Sequence, residues 1–263
     1  MISDSIKTEI MHRLRKTEEE QDVRILLAIE SGSRAWGFES SNSDYDVRFI
    51  YIRNENWYLS IDVENRRDVI EYPIVDEIDL NGWDLRKALG LFYKSNPAFV
   101  EWLQSPITYI EQGCFRREAL ALLPKIYSVE QGIYHYKSMA KTNFYGHLQA
   151  EKVRFKKYFY VFRALLSIRY LEKNRKPAPI EFGQLLPLIE NDTVLSILHE
   201  LLEKKKSQME LAKIAPISEL NQFIEMELKR LETLVPEKFV RQIEMAQLNT
   251  FFQQLLKQNK LVE

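Results

Sequence analysis

The sequence predicts an α/β (α+β) protein: a mixed sheet with flanking helices over residues 1–112, followed by an all-helical domain over residues 113–263. Three observations carry this expectation. Short apolar runs alternate with amphipathic helical patterns through the first 110 residues or so. Period-two alternation then ends after Ser105-Pro106, and nearly everything from residue 114 carries helical spacing, interrupted by Pro124, Pro177, Pro179, Pro187, Pro216 and Pro236. Only 8 Gly and 9 Pro occur, while Leu, Glu and Lys are abundant, which leans the chain toward helix and away from an all-β fold. At 263 residues a single core becomes uneconomical and two domains are favoured. With no repeat and no low-complexity linker, the halves are expected to pack together.

Taken in order, residues 3–20 read as a helix from the recurrence of Ile6, Ile10, Met11 and Leu14. Ile25 to Glu30 reads as a short strand whose unbroken apolar run suggests burial on both faces. A brief helix is expected at the Gly32-Ser33 turn, a second strand over 44–53, and further strands over 57–61 and 68–80. Residues 83–94, WDLRKALGLFYK, form an amphipathic helix entered through Asp84, an acidic residue suited to a helix N-terminus.

Composition narrows the function classes. The chain is 45% hydrophobic and 29% charged, enough apolar content for a packed core. No run approaches 18 apolar residues and the N-terminus is charged, so no membrane partner is expected and a cytoplasmic location is. A single cysteine, Cys114, excludes an intrachain disulfide framework and a cysteine-based metal cluster. His12, His135, His147 and His199 share no ligand spacing. Net charge is only -1, yet residues 39–84 hold 12 acidic side chains against 4 basic, and residues 137–176 hold 11 basic against 2 acidic. One segment suits cations and the other anions.

The chemistry concentrates in ESGSRAWGFESSNSDYDVRFIYI, Glu30 to Ile52. Residues two apart on a strand project from one face, so Asp44 and Asp46 direct two carboxylates toward one point. Two such charges are costly unless a cation sits between them, and hard oxygen ligands of this kind suit Mg²⁺ or Mn²⁺. Upstream across ten intervening residues, the Gly32-Ser33 turn before a helix start offers unpaired backbone N–H groups and a hydroxyl to a phosphate. A phosphate cradle beside a divalent-cation clamp is what transfer from a nucleoside triphosphate requires. The run VDEIDL, Val75 to Leu80, supplies a third carboxylate; Asp79 is preferred, with Glu77 as the alternative.

GSRAWGFESSNSDYD resembles the G-S, then D-x-D signature of the DNA polymerase beta-like nucleotidyltransferase superfamily. GWDLRKALGLFYKSNPAFVEWLQSPITY and KKYFYVFRALLS are similar to a bacterial family of predicted nucleotidyltransferases, some associated with RNA repair. The resemblance runs from about residue 25 to about residue 190. It implies a nucleotidyltransferase-type mixed sheet, Mg²⁺ (or Mn²⁺) as cofactor, a nucleoside triphosphate as substrate with ATP favoured, and transfer of a nucleoside monophosphate to an acceptor hydroxyl. It maps Gly32 and Ser33 to phosphate contact and Asp44, Asp46 and Asp79 to metal binding and catalysis. An RNA 3′ end in RNA repair is the favoured acceptor. A protein hydroxyl, a small hydroxylated molecule, or a non-catalytic nucleotide sensor or RNA-binding module are the alternatives. The oligomeric state is left open.

In KVRFKKYFYVFRALLSIRYL, Lys156, Tyr160, Arg163 and Ser167 make a polar stripe beside the apolar one of Phe155, Phe159, Phe162 and Leu166. Lys156, Lys157 and Tyr160 are therefore candidate nucleotide contacts, against the alternative of a solvated basic face. Arg34 joins them as a candidate phosphate contact near the cradle, against the alternative of pairing with a structural carboxylate. Arg48, on the metal strand, either neutralises phosphate or pairs with a carboxylate. Trp36 and Trp83 wall the cleft or belong to the core.

Overall fold

The computed structural model describes residues 2–206 and 213–259. Of the stretch LLEKKKSQMELAK, residues 207–212 lie outside the described residues. The chain divides into two compact units: Met1–Gly32, Asp44–Ile126 and Arg241–Glu263 form the first, Ser33–Ser43 and Tyr127–Val240 the second.

In the first unit, α1 (Asp4–Gln21) begins at Ser3, whose hydroxyl accepts from the Ile6 N–H, and ends at Asp22 in the left-handed region. It leads into β1 (Arg24–Glu30), where every residue from Ile25 to Glu30 is buried, as the apolar run predicts. The one-turn helix α2 (Gly32–Ala35) follows, then β2 (Tyr45–Ile52). Residues 57–61, expected as strand, instead enter the short helix α3 (Glu55–Tyr58), which Asn54 caps by accepting from Trp57 N. An Asx cap three residues ahead of Trp57 decides the local conformation against β propensity. The expected strand over 68–80 is two strands, β3 (Val69–Glu71) and β4 (Ile78–Asp84). Pro73 and the left-handed residues Asp76 and Glu77 fall between them. Helices α4 (Leu85–Tyr93) and α5 (Pro97–Gln104), strand β5 (Thr108–Glu111) and helix α6 (Phe115–Ile126) complete this run.

The five strands lie in the order β3-β4-β2-β1-β5, with β2 and β4 parallel and the other pairs antiparallel. Along β4 burial alternates strictly: Ile78, Leu80, Gly82 and Asp84 are buried and the residues between them half-exposed. Ile78 and Leu80 join Val47, Phe49, Tyr51, Ile25 and Ala28 in a core closed by Ile10 and Leu14 of α1. Helix α4 packs against β2 and β4. Asp84 is its cap, accepting from Arg86 N at 2.8 Å.

The second unit is mainly helical. Helix α7 (Val129–His147) packs along α8 (Lys156–Asn174), and these are joined by α9 (Asp192–Lys206) and α10 (Ser218–Thr233). A two-residue antiparallel pair, β6 (Val153–Arg154) and β7 (Lys213–Ile214), is the β structure described here. Arg169 of α8 grips Glu227 of α10 through two hydrogen bonds, at 3.0 and 2.8 Å, and Arg230 of α10 reaches back to Glu172 of α8, both contacts at 2.9 Å. The final helix, α11 (Met245–Gln258), belongs with α6 to the sheet-containing unit, so helical periodicity beyond residue 112 does not mark a unit boundary.

Candidate active site

The D-x-D lies at the start of β2. Asp44 is exposed and precedes the strand by one residue; Asp46 is its second residue. Parallel pairing with β4 sets Asp46 directly beside Asp79, so the two carboxylates share one face of the sheet. That face is opposite the one carrying Val47, Phe49 and Ile78 into the core. Glu77, the alternative third carboxylate, sits in the β3–β4 turn at φ +63°, and its carbonyl accepts from Tyr45 N at 2.7 Å.

Arg48 occupies the space between the two aspartates. Its Nη2 donates to Asp79 Oδ2 at 2.6 Å and to Asp46 Oδ1 at 3.2 Å, while Nη1 donates to the carbonyls of Asp79 at 2.8 Å and Val47 at 3.1 Å. Of the two roles open to Arg48 from sequence, the structure has it paired with carboxylates. The Gly32 backbone closes the site from the β1 side. At φ +57° it lies so near Asp46 that an added Cβ would be 1.9 Å from Oδ2, and Ser31 N donates to the Asp46 carbonyl at 2.8 Å.

Glu30 supports this arrangement from behind and was not singled out by the sequence. Its fully buried carboxylate accepts from Asp46 N at 3.0 Å through Oε1 and from the Tyr109 hydroxyl at 2.5 Å through Oε2. The signal available was an acidic residue directly following the apolar run Ile25–Ile29 in one strand.

The donor chemistry of Asp44, Asp46 and Asp79 fits a hard divalent cation. The arrangement differs from the expected trio: among the described residues no three His, Cys, Asp or Glu side chains are grouped to hold a metal, and Arg48 holds the two that meet.

In the second unit, Ser33 begins a turn whose carbonyl accepts from Phe38 N at 3.1 Å. Arg34, 8% exposed, donates to the Ser43 carbonyl at 2.7 Å, and the hydroxyls of Ser40 and Ser43 pair at 3.0 Å. These contacts fold the SSNS loop over residues 40–43. On α8 the polar stripe is not a solvated face: Arg163 and Ser167 are buried, and the Arg163 guanidinium lies 4.4 Å from the Trp36 ring centroid. Tyr160 meets Trp36 edge-on at 5.4 Å, and the Lys157 ammonium lies 5.1 Å from the Tyr160 ring centroid. Burial, then the charges of Lys156 and Arg154, push the Lys157 pKa down. Trp83, in the first unit, stacks on Trp102 with centroids 3.8 Å apart.

The sequence profile of the RNA repair pathway DNA polymerase beta family matches residues 6–254. The chain belongs to this family. The chain is 43% identical over 227 residues to the uncharacterized protein YcgL of Bacillus subtilis (strain 168), covering 86% of each chain. Among solved structures it is similar to a nucleotidyltransferase-like protein from Exiguobacterium sibiricum 255-15, at 14% identity and TM-score 0.33 over 85% of this chain and 73% of that one.

Cys114 donates its thiol to Gln258 Oε1 at 3.0 Å, and burial pushes its pKa up, the reverse of what a nucleophile needs. Among the described residues no helix is long and apolar enough to cross a membrane.

Proposed function

We propose that this member of the RNA repair pathway DNA polymerase beta family is a metal-dependent nucleotidyltransferase. An acceptor oxygen attacks the α-phosphorus of a nucleoside triphosphate, ATP being favoured, and pyrophosphate leaves with the electron pair of the broken P–O bond. The observation that carries this reading is the register pairing of Asp46 with Asp79 against the Gly32 backbone, which sets two carboxylates beside a turn that a bulkier residue would block. Asp44, Asp46 and Asp79 would hold Mg²⁺ or Mn²⁺, which supplies Lewis-acid stabilisation of charge developing on the phosphoryl and pyrophosphate oxygens. Asp79 accepts the proton of the attacking hydroxyl. Gly32 and Ser33 admit the phosphates, and Arg34, Lys156, Lys157 and Tyr160 are the proposed nucleotide contacts. Glu30 keeps Asp46 in place by holding its backbone N–H.

An RNA 3′ end is the proposed acceptor, in keeping with the family's name and the basic segment over residues 137–176. The test is transfer of label from each of the four α-phosphate-labelled triphosphates, with Mg²⁺ or Mn²⁺, to pooled small RNA and to whole-cell protein, comparing the native chain with Asp44→Asn/Asp46→Asn. Label on RNA that the double variant abolishes supports the reading; label on protein alone makes the enzyme an adenylylating one. Nucleotide binding without pyrophosphate release from the triphosphate, whatever acceptor is offered, turns the reading to a sensor.

A further inference from the structure

We propose that Arg48 is a built-in counter-cation of the Asp46–Asp79 pair, and that a divalent cation reaches these carboxylates only by displacing its guanidinium. This rests on the metal-dependent reading above. Two carboxylates set side by side on adjacent strands repel each other, and in the metal-free protein something must offset that repulsion. The planar fork of Arg48 does so on both edges: one nitrogen bridges Asp46 Oδ1 and Asp79 Oδ2, the other is tethered to two backbone carbonyls. The side chain is only 18% exposed, so the contacts are poorly screened by water.

A hard cation and this guanidinium compete for the same oxygens. Mg²⁺ binds carboxylate oxygen at about 2.0–2.1 Å, and Nη2 already stands 2.6 Å from Asp79 Oδ2. A cation that takes Asp46 Oδ1 and Asp79 Oδ2 therefore displaces Arg48 Nη2 from both carboxylates. The exchange has a consequence for charge. Two carboxylates and one guanidinium leave a single net negative charge; with a divalent cation in place the pair is neutral and a guanidinium is released that needs an anionic partner. A cation arriving together with triphosphate supplies that partner, whereas a bare cation does not. Arg48 thus weakens binding of free metal and favours the metal–nucleotide pair.

The experiment is isothermal titration of Mn²⁺ into the full chain without nucleotide, with thermal melts in parallel, for the native protein, Arg48→Gln, Arg48→Lys and Arg48→Gln/Asp46→Asn. Arg48→Gln should bind Mn²⁺ about ten-fold more tightly or better, melt lower than the native protein without metal, and recover with it. Arg48→Lys, which keeps the charge but cannot hold all four acceptors, should show a smaller gain and answers the question if Arg48→Gln does not fold. The gain should vanish when Asp46→Asn is added. Folded Arg48 variants that bind Mn²⁺ no better than the native chain would overturn the role of Arg48 while leaving the metal-dependent reading intact. Absence of Mn²⁺ binding in every form overturns both.

Discussion

The Gly32 backbone and the Asp46 carboxylate are in such close approach that a single added methyl would fall 1.9 Å from Oδ2. Gly32→Ala must therefore move the turn or the aspartate. The left-handed φ of +57° adds strain on the order of 1–2 kcal/mol. The expected outcome is a melting temperature lower by several degrees, roughly what 1–2 kcal/mol produces in a domain of this size, with pyrophosphate release reduced at least about ten-fold. A fully active Gly32→Ala enzyme would contradict the placement of the triphosphate at this turn.

Asp84 predicts a pH effect on stability. Burial raises its pKa from 3.8 to about 6 against the opposing hydrogen bond from Tyr58 and that from Arg86 N. The folded state thus holds a proton that the unfolded state has already released, so stability falls as pH rises from about 4 to about 6 and levels off above. The contribution is up to about 3 kcal/mol, since each unit is about 1.4 kcal/mol. Asparagine at this position can still cap α4 with its amide oxygen. Urea denaturation of Asp84→Asn across this range should show a flatter pH profile than that of the native protein.

Within the second unit, Glu227 is 4% exposed in its side chain and held by Arg169. Burial works against its charge, yet the hydrogen bond and charge of Arg169, with Arg230 beyond, keep its pKa below the ordinary value. That stability is present above the unfolded pKa and is lost as pH falls through the folded one. Glu227→Ala leaves the Arg169 guanidinium without its main carboxylate partner and should cost about 3–5 kcal/mol in chemical denaturation. Glu172→Ala removes only the outer Arg230 pair and should cost about 1 kcal/mol or less. Equal effects would show that burial does not set the ranking.

Lys157 tests the nucleotide assignment on α8. Its ammonium is destabilised by burial and two neighbouring cations, so an anionic ligand would be well received there. Lys157→Ala should weaken triphosphate binding roughly ten-fold or more, the worth of one charge-assisted hydrogen bond, while leaving the melting temperature near native. Unchanged affinity in Lys157→Ala and in Lys156→Ala removes both residues from the proposed nucleotide contacts.

What the sequence by itself determined lies in local signals. The buried strand at Ile25 to Glu30, the turn at Gly32 and the cap at Asp84 were all legible because each follows from the side chains of a few consecutive residues. The positions of Asp44 and Asp46 at the start of β2 follow from local strand propensity for the same reason. Residues 57–61 are not the expected strand because the Asn54 cap starts a helix there, and 68–80 is two strands because Pro73 and the left-handed Asp76 and Glu77 interrupt it. Only the tertiary structure decided which groups meet. Parallel pairing brings Asp79 beside Asp46 across more than thirty residues of sequence, places Arg48 between them, and buries Glu30 against the Asp46 N–H and the hydroxyl of Tyr109, 79 residues away. Strand register is a non-local property, set by how whole faces bury their apolar residues. A spacing along the chain can therefore name two carboxylates without revealing that an arginine pairs with them.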